Sequence, residues 1–181
     1  INIIDYLYFY NGAGVSIGDV NHDGLPDIFL VSNRFSCKLY LNKGNLKFED
    51  VTVRAGVTGE PGTYKTGVVM VDINNDGWMD IYICRSASEN PDLRRNILYI
   101  NNQDGTFTNR AKEYGVDDDG YGTNGYFNDL DGDGDLDLFV VNHPFNFVET
   151  DGIHLTYNKK RELVADKDTS KRGESDRYYE N

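Results

Sequence analysis

Three short segments of the chain concentrate oxygen-bearing side chains at a fixed spacing. Each segment reads Asp-x-Asp/Asn-x-Asp-Gly-x-x-Asp, and the copies span residues 19–27, 72–80 and 129–137. Carboxylates this close repel one another unless a hard cation with oxygen ligands neutralises them. Positions one, three and five can aim their side chains at one centre, the glycine at position six permits a sharp turn, position seven offers its carbonyl, and position nine closes the cage. The predicted ligands are Asp19, Asn21, Asp23, Leu25, Asp27, Asp72, Asn74, Asp76, Trp78, Asp80, Asp129, Asp131, Asp133, Asp135 and Asp137.

Calcium is the ion that this ligand set favours. Calcium takes about six to eight oxygen ligands and tolerates irregular geometry, whereas magnesium prefers a tight octahedron that retains water. Zinc is disfavoured because no cysteine and no clustered histidine contributes. An EF-hand needs a glutamate at position twelve, where this chain has Leu30, Ile83 or Val140. We therefore predict about three calcium ions, which would halve the formal net charge of −12. The alternative, plain Asp/Asn/Gly turns, is disfavoured by three copies at regular spacing.

The acidic segments lie inside a longer repeat that must position them. Their first residues are 53 and 57 positions apart. A glycine-containing apolar stretch precedes each segment, and a β-branched and aromatic run follows it, at 28–31, 81–83 and 138–141. Two further strand-like runs around a glycine turn complete the first two units, at 38–42 and 46–52 in the first and at 96–101 and 106–109 in the second. Four short strands in one repeat of this length predict an all-β fold, a β-propeller built from four-stranded antiparallel blades.

The repeats divide the chain into about two and a half to three blades. We predict blades at 1–57, 58–116 and 117–181, the last one incomplete and carrying a polar insertion at 144–176. Residues 177–181 align with 38–42, the third strand of the first unit. A closed propeller needs about four to eight blades, so we expect a piece of a longer protein or one that lacks segments. Its open strand edges make self-association through them a further prediction.

Composition excludes several classes of protein. The 181 residues include 18 basic and 30 acidic side chains, 39% hydrophobic and 13% aromatic residues. This content is too apolar for a disordered acidic chain and too acidic for a nucleic-acid binder. No apolar run is long enough to span a membrane, and the chain starts with Ile1 without a leader, so we expect a targeting signal to be removed or to lie outside it. Cys37 and Cys84 form no disulfide framework; a single bridge and two buried thiols both remain open.

The repeats carry a family resemblance. The acidic segment with its flanking strands resembles the FG-GAP/VCBS repeats of the integrin α-subunit β-propeller. The tails KLYLNKGNLKFEDVTVRAGV and NILYINNQDGTFTNRAKEYGV are closer still to the cartilage-acidic-protein-like group with ASPIC/UnbV domains. The resemblance covers the chain except about residues 144–175. It implies calcium ligation by the side chains at positions one, three, five and nine and by the carbonyl at position seven. It also implies an exported or cell-surface location, but no particular reaction.

Topology places the acidic segments and the variable segments on opposite faces. In an antiparallel blade, the loops between strands one and two share a face with the hairpins between strands three and four. The loops between strands two and three, at 33–37, 85–95 and 144–176, lie on the other face. Loops that vary on one face often form a binding surface, although tolerated surface loops are an equal alternative. We predict a module that binds a protein or glycan, with a role in adhesion.

The alternative function is part of a calcium-dependent polysaccharide-degrading enzyme. The carboxylates outside the acidic segments that best suit such a site are Glu89, Asp92, Glu149 and Asp151. Their spacing does not indicate a converging pair of acid and base groups, so we predict no enzyme.

Other residues imitate functional motifs. Ser16 matches a GxSxG pattern but lies in a predicted strand, not on a strand-to-helix elbow. His22 is expected to point to solvent, Trp78 and Met79 to pack between blades, and His143 and His154 to have no catalytic partner. The basic run 159–161 suits a solvated loop, or contact with an acidic glycan or protein face.

Overall fold

Most of the described strands form three successive antiparallel sheets along the chain, and two more form a separate hairpin. A computed structural model describes residues 7–143, 155–157, 163–165 and 176–180. Runs of β-branched and aromatic residues alternate with turns rich in glycine and asparagine, and this pattern produces short strands. We call each sheet a blade. The first blade consists of β1 (Val15–Gly18), β2 (Asp27–Leu30), β3 (Lys38–Asn42) and β4 (Phe48–Asp50), the second of β5 (Tyr64–Val71), β6 (Asp80–Ser86), β7 (Ile97–Asn101) and β8 (Phe107–Asn109), and the third of β9 (Gly122–Asn128), β10 (Asp137–Asn142) and β13 (Arg177–Tyr179).

The third blade repeats the register of the first. β13 pairs with β10 so that Tyr179 lies opposite Leu138, as Tyr40 lies opposite Ile28 in the first blade. Residues 177–179 thus occupy the third-strand position that the sequence alignment predicts. Between β10 and β13, a hairpin of β11 (Leu155–Tyr157) and β12 (Leu163–Ala165) lies within the predicted insertion. The prediction of an all-β, partial propeller with antiparallel blades is confirmed.

The middle blade is buried on both faces, because its strands carry apolar residues at successive positions. Ile81 and Ile83 belong to the core shared with the first blade, which includes Phe29. Tyr82, between them in sequence, belongs to the core shared with the third blade, which includes Leu138. Burial of each such side chain contributes about 1.5–3 kcal/mol. These two cores hold the blades together and fix the acidic segments at one end of them.

The outer faces of the first and third blades remain exposed. Val15 and Ile17 of β1 are 57% and 64% exposed, and Tyr126 of β9 is 57% exposed. These residues alternate along their strands with less exposed residues that face the middle blade, such as Ser16 of β1 and Phe127 of β9. Each end of the stack therefore presents an apolar sheet face of the kind that the middle blade buries.

The fourth strand of the first blade is shorter than the sequence suggested. The apolar pattern indicated a strand over 46–52, but β4 ends at Asp50 and a short helix, α1 (Thr52–Ala55), follows. The Asp50 carboxylate accepts hydrogen bonds from the backbone N–H and the hydroxyl of Thr52, at 3.1 and 2.6 Å, and this turns the chain. Gly56, with φ of 76°, ends the helix in the left-handed conformation.

The loop between β6 and β7 begins later than predicted. Arg85 belongs to β6 and is 3% exposed, because its guanidinium pairs with Glu60 and bonds to the Arg95 carbonyl. The loop itself covers 87–96 and includes a 3-10 turn at Pro91–Leu93.

Cys37 and Cys84 are both free and buried, in different cores. Within the described residues, no helix has the length and hydropathy to cross a bilayer.

Candidate metal sites and the opposite face

Each acidic loop, at 19–27, 72–80 and 129–137, joins the first and second strands of its blade and is wound around its first aspartate. In the first loop the Asp19 carboxylate accepts a hydrogen bond from the Gly24 N–H at 2.8 Å. In the second, Asp72 accepts from the Gly77 N–H at 2.8 Å, and in the third, Asp129 accepts from the Gly134 N–H at 3.1 Å. The same bond in all three loops indicates one backbone path.

Two positions of that path have left-handed backbone. The glycine predicted to permit the turn does so, with φ of 80°, 89° and 99° at position six of the three loops. Position four is also left-handed, with φ of 58° at His22, 55° at Asn75 and 83° at Gly132. Sequence reasoning missed this second requirement, although histidine, asparagine and glycine at one position are typical of it.

Positions three and five face each other across the loop. Asn21 Nδ2 donates to Asp23 Oδ2 at 3.0 Å, and Asn74 Nδ2 donates to Asp76 Oδ2 at 3.0 Å. The position-five carboxylate also accepts the N–H of position seven, at 2.9 Å from Leu25, 2.8 Å from Trp78 and 3.2 Å from Asp135. These bonds fix the position-five carboxylate, which is exposed in all three loops, whereas position one is half-buried in each of them.

The third loop gathers three carboxylates. Oxygen atoms of Asp129, Asp131 and Asp133 all lie within 4.8 Å of one another. Asp135, at position seven, lies beside them, and its pKa is raised because its carboxyl shares a hydrogen bond with Asp133. The donor set of all three loops consists of carboxylate, amide and carbonyl oxygens, which suits a hard cation of the calcium type.

The aspartate at position nine is buried and ties the loop to the blade. Asp27, Asp80 and Asp137 are 0%, 0% and 2% exposed. Each accepts the N–H of position two in its loop, at 2.9, 3.2 and 3.0 Å respectively. Asp27 and Asp80 also accept a backbone N–H from the third strand at 2.8 Å. An oxygen with one such bond keeps a lone pair for a cation, so position nine stays a predicted ligand.

Burial raises the pKa of the position-nine carboxyl in the first two loops. Desolvation raises the pKa of Asp27, and it raises the pKa of Asp80 to about 6, with a smaller contribution from the neighbouring Asp76 and Asp72. The backbone N–H bonds act in the opposite direction but do not cancel the effect. A cation bound in the loop would stabilise the ionised form of Asp80.

The first and second acidic loops touch each other across the blade boundary. The His22 ring stacks on Trp78 with a centroid separation of 4.1 Å and an angle of 9°, and His22 Nε2 lies 2.7 Å from the Gly77 carbonyl oxygen. Asn101 of the second blade donates to the Val20 carbonyl of the first at 2.9 Å. His22 is exposed, as expected, but one face of its ring also contacts an aromatic side chain of the neighbouring blade, which the sequence did not indicate. Trp78 does pack between blades, as predicted.

The residues that imitate catalytic motifs have other contacts. Ser16 Oγ accepts the Met70 N–H at 2.9 Å and so joins the first two blades. Asp92, on the loop after β6, is exposed and lies 3.4 Å from Arg95. His143 lies 3.1 Å from the Ser86 hydroxyl, and both residues are buried. Glu149, Asp151, His154 and the basic run 159–161 lie outside the described residues.

Comparison with known proteins places these observations in a family context. A family model described as an FG-GAP-like repeat matches residues 19–83 and 86–140. Cartilage acidic protein 1 of Mus musculus and that of Homo sapiens are each 29% identical over 135 residues, which cover 72% of this chain and 20% of theirs. The protein of that name from Xenopus tropicalis is 28% identical over 142 residues, 76% of this chain and 21% of its own. The chain thus spans about a fifth of the length of these curated relatives.

Proposed function

Since this chain belongs to the FG-GAP-like repeat family, we propose that it is a calcium-binding β-propeller module of an exported or cell-surface protein that binds a protein or glycan. The observation that carries the proposal is the repeated geometry of the three acidic loops. In each loop the carboxylate of position one accepts the N–H of position six, and in the third loop oxygens of three carboxylates lie within 4.8 Å of one another. Without a cation such a group is repulsive, and calcium offsets that repulsion.

Calcium would act on the fold through the strands that each loop joins. Positions one and nine belong to the same loop, and position nine is bonded to the third strand in the first two blades. A ligand that binds only the folded form stabilises it by about 2.7 kcal/mol at a hundredfold excess over its dissociation constant. We therefore expect the ion to be structural, holding the blade while other residues recognise the partner.

The location and the binding role rest on two supports. The relatives carry the word cartilage in their name, which suits a protein that works outside cells. The loops 33–37 and 87–96 lie at the ends of the blades opposite the acidic loops, so a partner could bind there without displacing calcium. We propose a non-catalytic role, because neither of the candidate carboxylates among the described residues lies in an enclosed site: Glu89 and Asp92 are both exposed, and Asp92 is paired with Arg95.

Calorimetry with calcium tests the proposal, using the protein and the double variant Asp129→Asn/Asp131→Asn. About three ions are expected for the protein and one fewer for the variant. The control is Asp92→Asn, which also removes a carboxylate charge, but from a side chain that is 80% exposed and lies outside the acidic loops. This variant should bind as many ions as the parent. An unchanged stoichiometry in the double variant, or no calcium binding by the folded protein, would refute the assignment of the loops.

A further inference from the structure

Two adjoining depressions lie on the face opposite the acidic loops. The first, of about 240 Å³, lies between the loop after β2, the start of β5 and the end of β6. The second, of about 370 Å³, lies beside it against the loop after β2. Both are lined by Phe9, Asn33, Arg34 and Tyr64, and we call the pair the Arg34 cleft.

The charge of the Arg34 cleft differs in sign from that of the whole chain. The chain carries a net charge of −12, yet none of the described residues that line the cleft is acidic, and Arg34 is the only charged one. No carboxylate among the described residues forms an ion pair with the Arg34 guanidinium. A guanidinium of this kind offers a planar set of donors that matches a carboxylate. The cleft is therefore suited to an anion although the protein as a whole repels anions.

The walls of the cleft supply aromatic rings. Phe9 and Tyr64 belong to one small buried cluster beneath the loops. Phe35, on the outer depression, is 78% exposed. Tyr64 is only 6% exposed, so the apolar surface offered to a flat ligand comes from the partly buried Phe9 and the exposed Phe35, and the polar groups beside them fix its orientation.

The polar group next to these rings is an acceptor that lacks a donor. Asn33 Nδ2 donates to the Asn11 carbonyl at 2.8 Å and to the Tyr64 hydroxyl at 2.9 Å, and these bonds orient the amide. Its Oδ1 is buried and has no hydrogen-bond partner among the described residues. A sugar carries several hydroxyl groups around its ring that can donate to such an atom, whereas an acidic peptide has only its backbone N–H groups as donors, because its side-chain carboxylates accept.

We propose that the Arg34 cleft binds a uronate unit of an acidic glycan. Arg34 binds the carboxylate of the sugar, Phe9 packs against its ring, and a sugar hydroxyl donates to Asn33. The inner depression is smaller than the ~300–1,000 Å³ of pockets for drug-sized ligands, so it accommodates one sugar ring, and the outer depression receives the next. This inference rests on the proposed function, since it names the ligand class of the face opposite the acidic loops.

Calorimetry of the calcium-loaded protein with three probes tests the inference: a hyaluronan tetrasaccharide, maltotetraose as a neutral sugar, and a tetraglutamate peptide. Hyaluronan should bind, and maltotetraose and tetraglutamate should bind at least tenfold more weakly. Arg34→Gln should weaken hyaluronan binding at least tenfold. Phe35→Ala, at a side chain that is 78% exposed, should weaken it while the melting temperature stays unchanged. Arg54→Gln is the matched control, because Arg54 lies on α1 with its side chain 65% exposed and outside the cleft.

The outcomes separate this inference from the calcium proposal. Calcium binding by a protein that does not bind hyaluronan overturns the glycan site and leaves the calcium module standing. Equal weakening by Arg34→Gln and Arg54→Gln would mean attraction by overall charge, and it also overturns the site. Binding of tetraglutamate in preference to hyaluronan, lost in Arg34→Gln, would make the cleft a peptide site and contradict the proposal. A folded protein that binds no calcium would refute the proposed function, whatever the result with hyaluronan.

Discussion

The buried Asp80 gives the calcium-free protein an unusual dependence on pH. Its carboxyl is 0% exposed and its pKa is raised from 3.8 to about 6, chiefly by desolvation. The folded state therefore binds a proton more tightly than the unfolded chain does. The resulting stability is fully present below the unfolded pKa of 3.8 and is lost as pH rises through about 6. In excess chelator, the free energy of unfolding should thus fall between about pH 4 and pH 6.

The size of the effect follows from the shift. One pKa unit corresponds to about 1.4 kcal/mol, so a change from 3.8 to about 6 implies on the order of 3 kcal/mol from this one residue. The pKa of Asp27 is raised by the same cause, so the first loop adds to the effect in the same direction. Bound calcium should reverse the trend, because a cation favours the ionised carboxyl and is lost as the pH falls.

Urea unfolding at a series of pH values, in chelator and in excess calcium, measures this effect. Asp80→Asn should flatten the slope in chelator, since the amide does not titrate. It should also lower stability at low pH, because an amide oxygen and nitrogen cannot both accept the N–H groups of Asn101 and Ile73. Asp92→Asn, at an exposed side chain, is the control and should keep the parent slope. A free energy of unfolding that is constant or rises from pH 4 to 6 in chelator would refute the reasoning.

Three further predictions concern the contacts between blades. A double-mutant cycle with His22→Ala and Trp78→Ala should give a coupling of about 0.5–1.5 kcal/mol, because the two rings stack at 4.1 Å; strictly additive effects would contradict the contact. Gly67→Ala should lower the free energy of unfolding by about 1–3 kcal/mol, because a Cβ there would lie 2.8 Å from the Asn124 Cα of the third blade. Gly12→Ala is the control, because a Cβ there meets nothing within 4 Å, and it should be neutral. Equal melting temperatures of the two variants would count against this packing. Ile81→Ala should lower the free energy of unfolding by about 2–5 kcal/mol, because Ile81 is buried in the core between the first two blades. Val15→Ala, on the exposed face of the first blade, should lower it much less. The reverse order in chemical denaturation would refute the assignment of the two faces.

The repeat in the sequence predicted the blades because spacing and turn chemistry are local properties. The run after each acidic segment becomes the second strand, and the alignment of residues 177–181 with 38–42 predicts the pairing of β13 with β10. The glycine at position six is left-handed in all three loops, as a sharp turn requires. These features follow from patterns that extend over a few residues and recur.

The features that the sequence did not predict depend on contacts between distant segments. Nothing near His22 indicates that Trp78, from the next blade, forms a surface for its ring. The burial of Arg85 depends on Glu60, from the connection between blades. The Arg34 cleft likewise joins Phe9 to residues from two blades, so no single motif could identify it. Such contacts arise from blade packing, which sequence period alone does not specify.

If the three acidic loops hold calcium, the ions should support the blades. Native mass spectrometry measures the number of bound calcium ions, and the melting temperature is compared before and after chelation. About three ions are expected, with a melting temperature that falls in chelator and recovers when calcium is restored. A folded β-sheet protein that binds no calcium, with the same melting temperature in chelator and in calcium, would contradict this expectation.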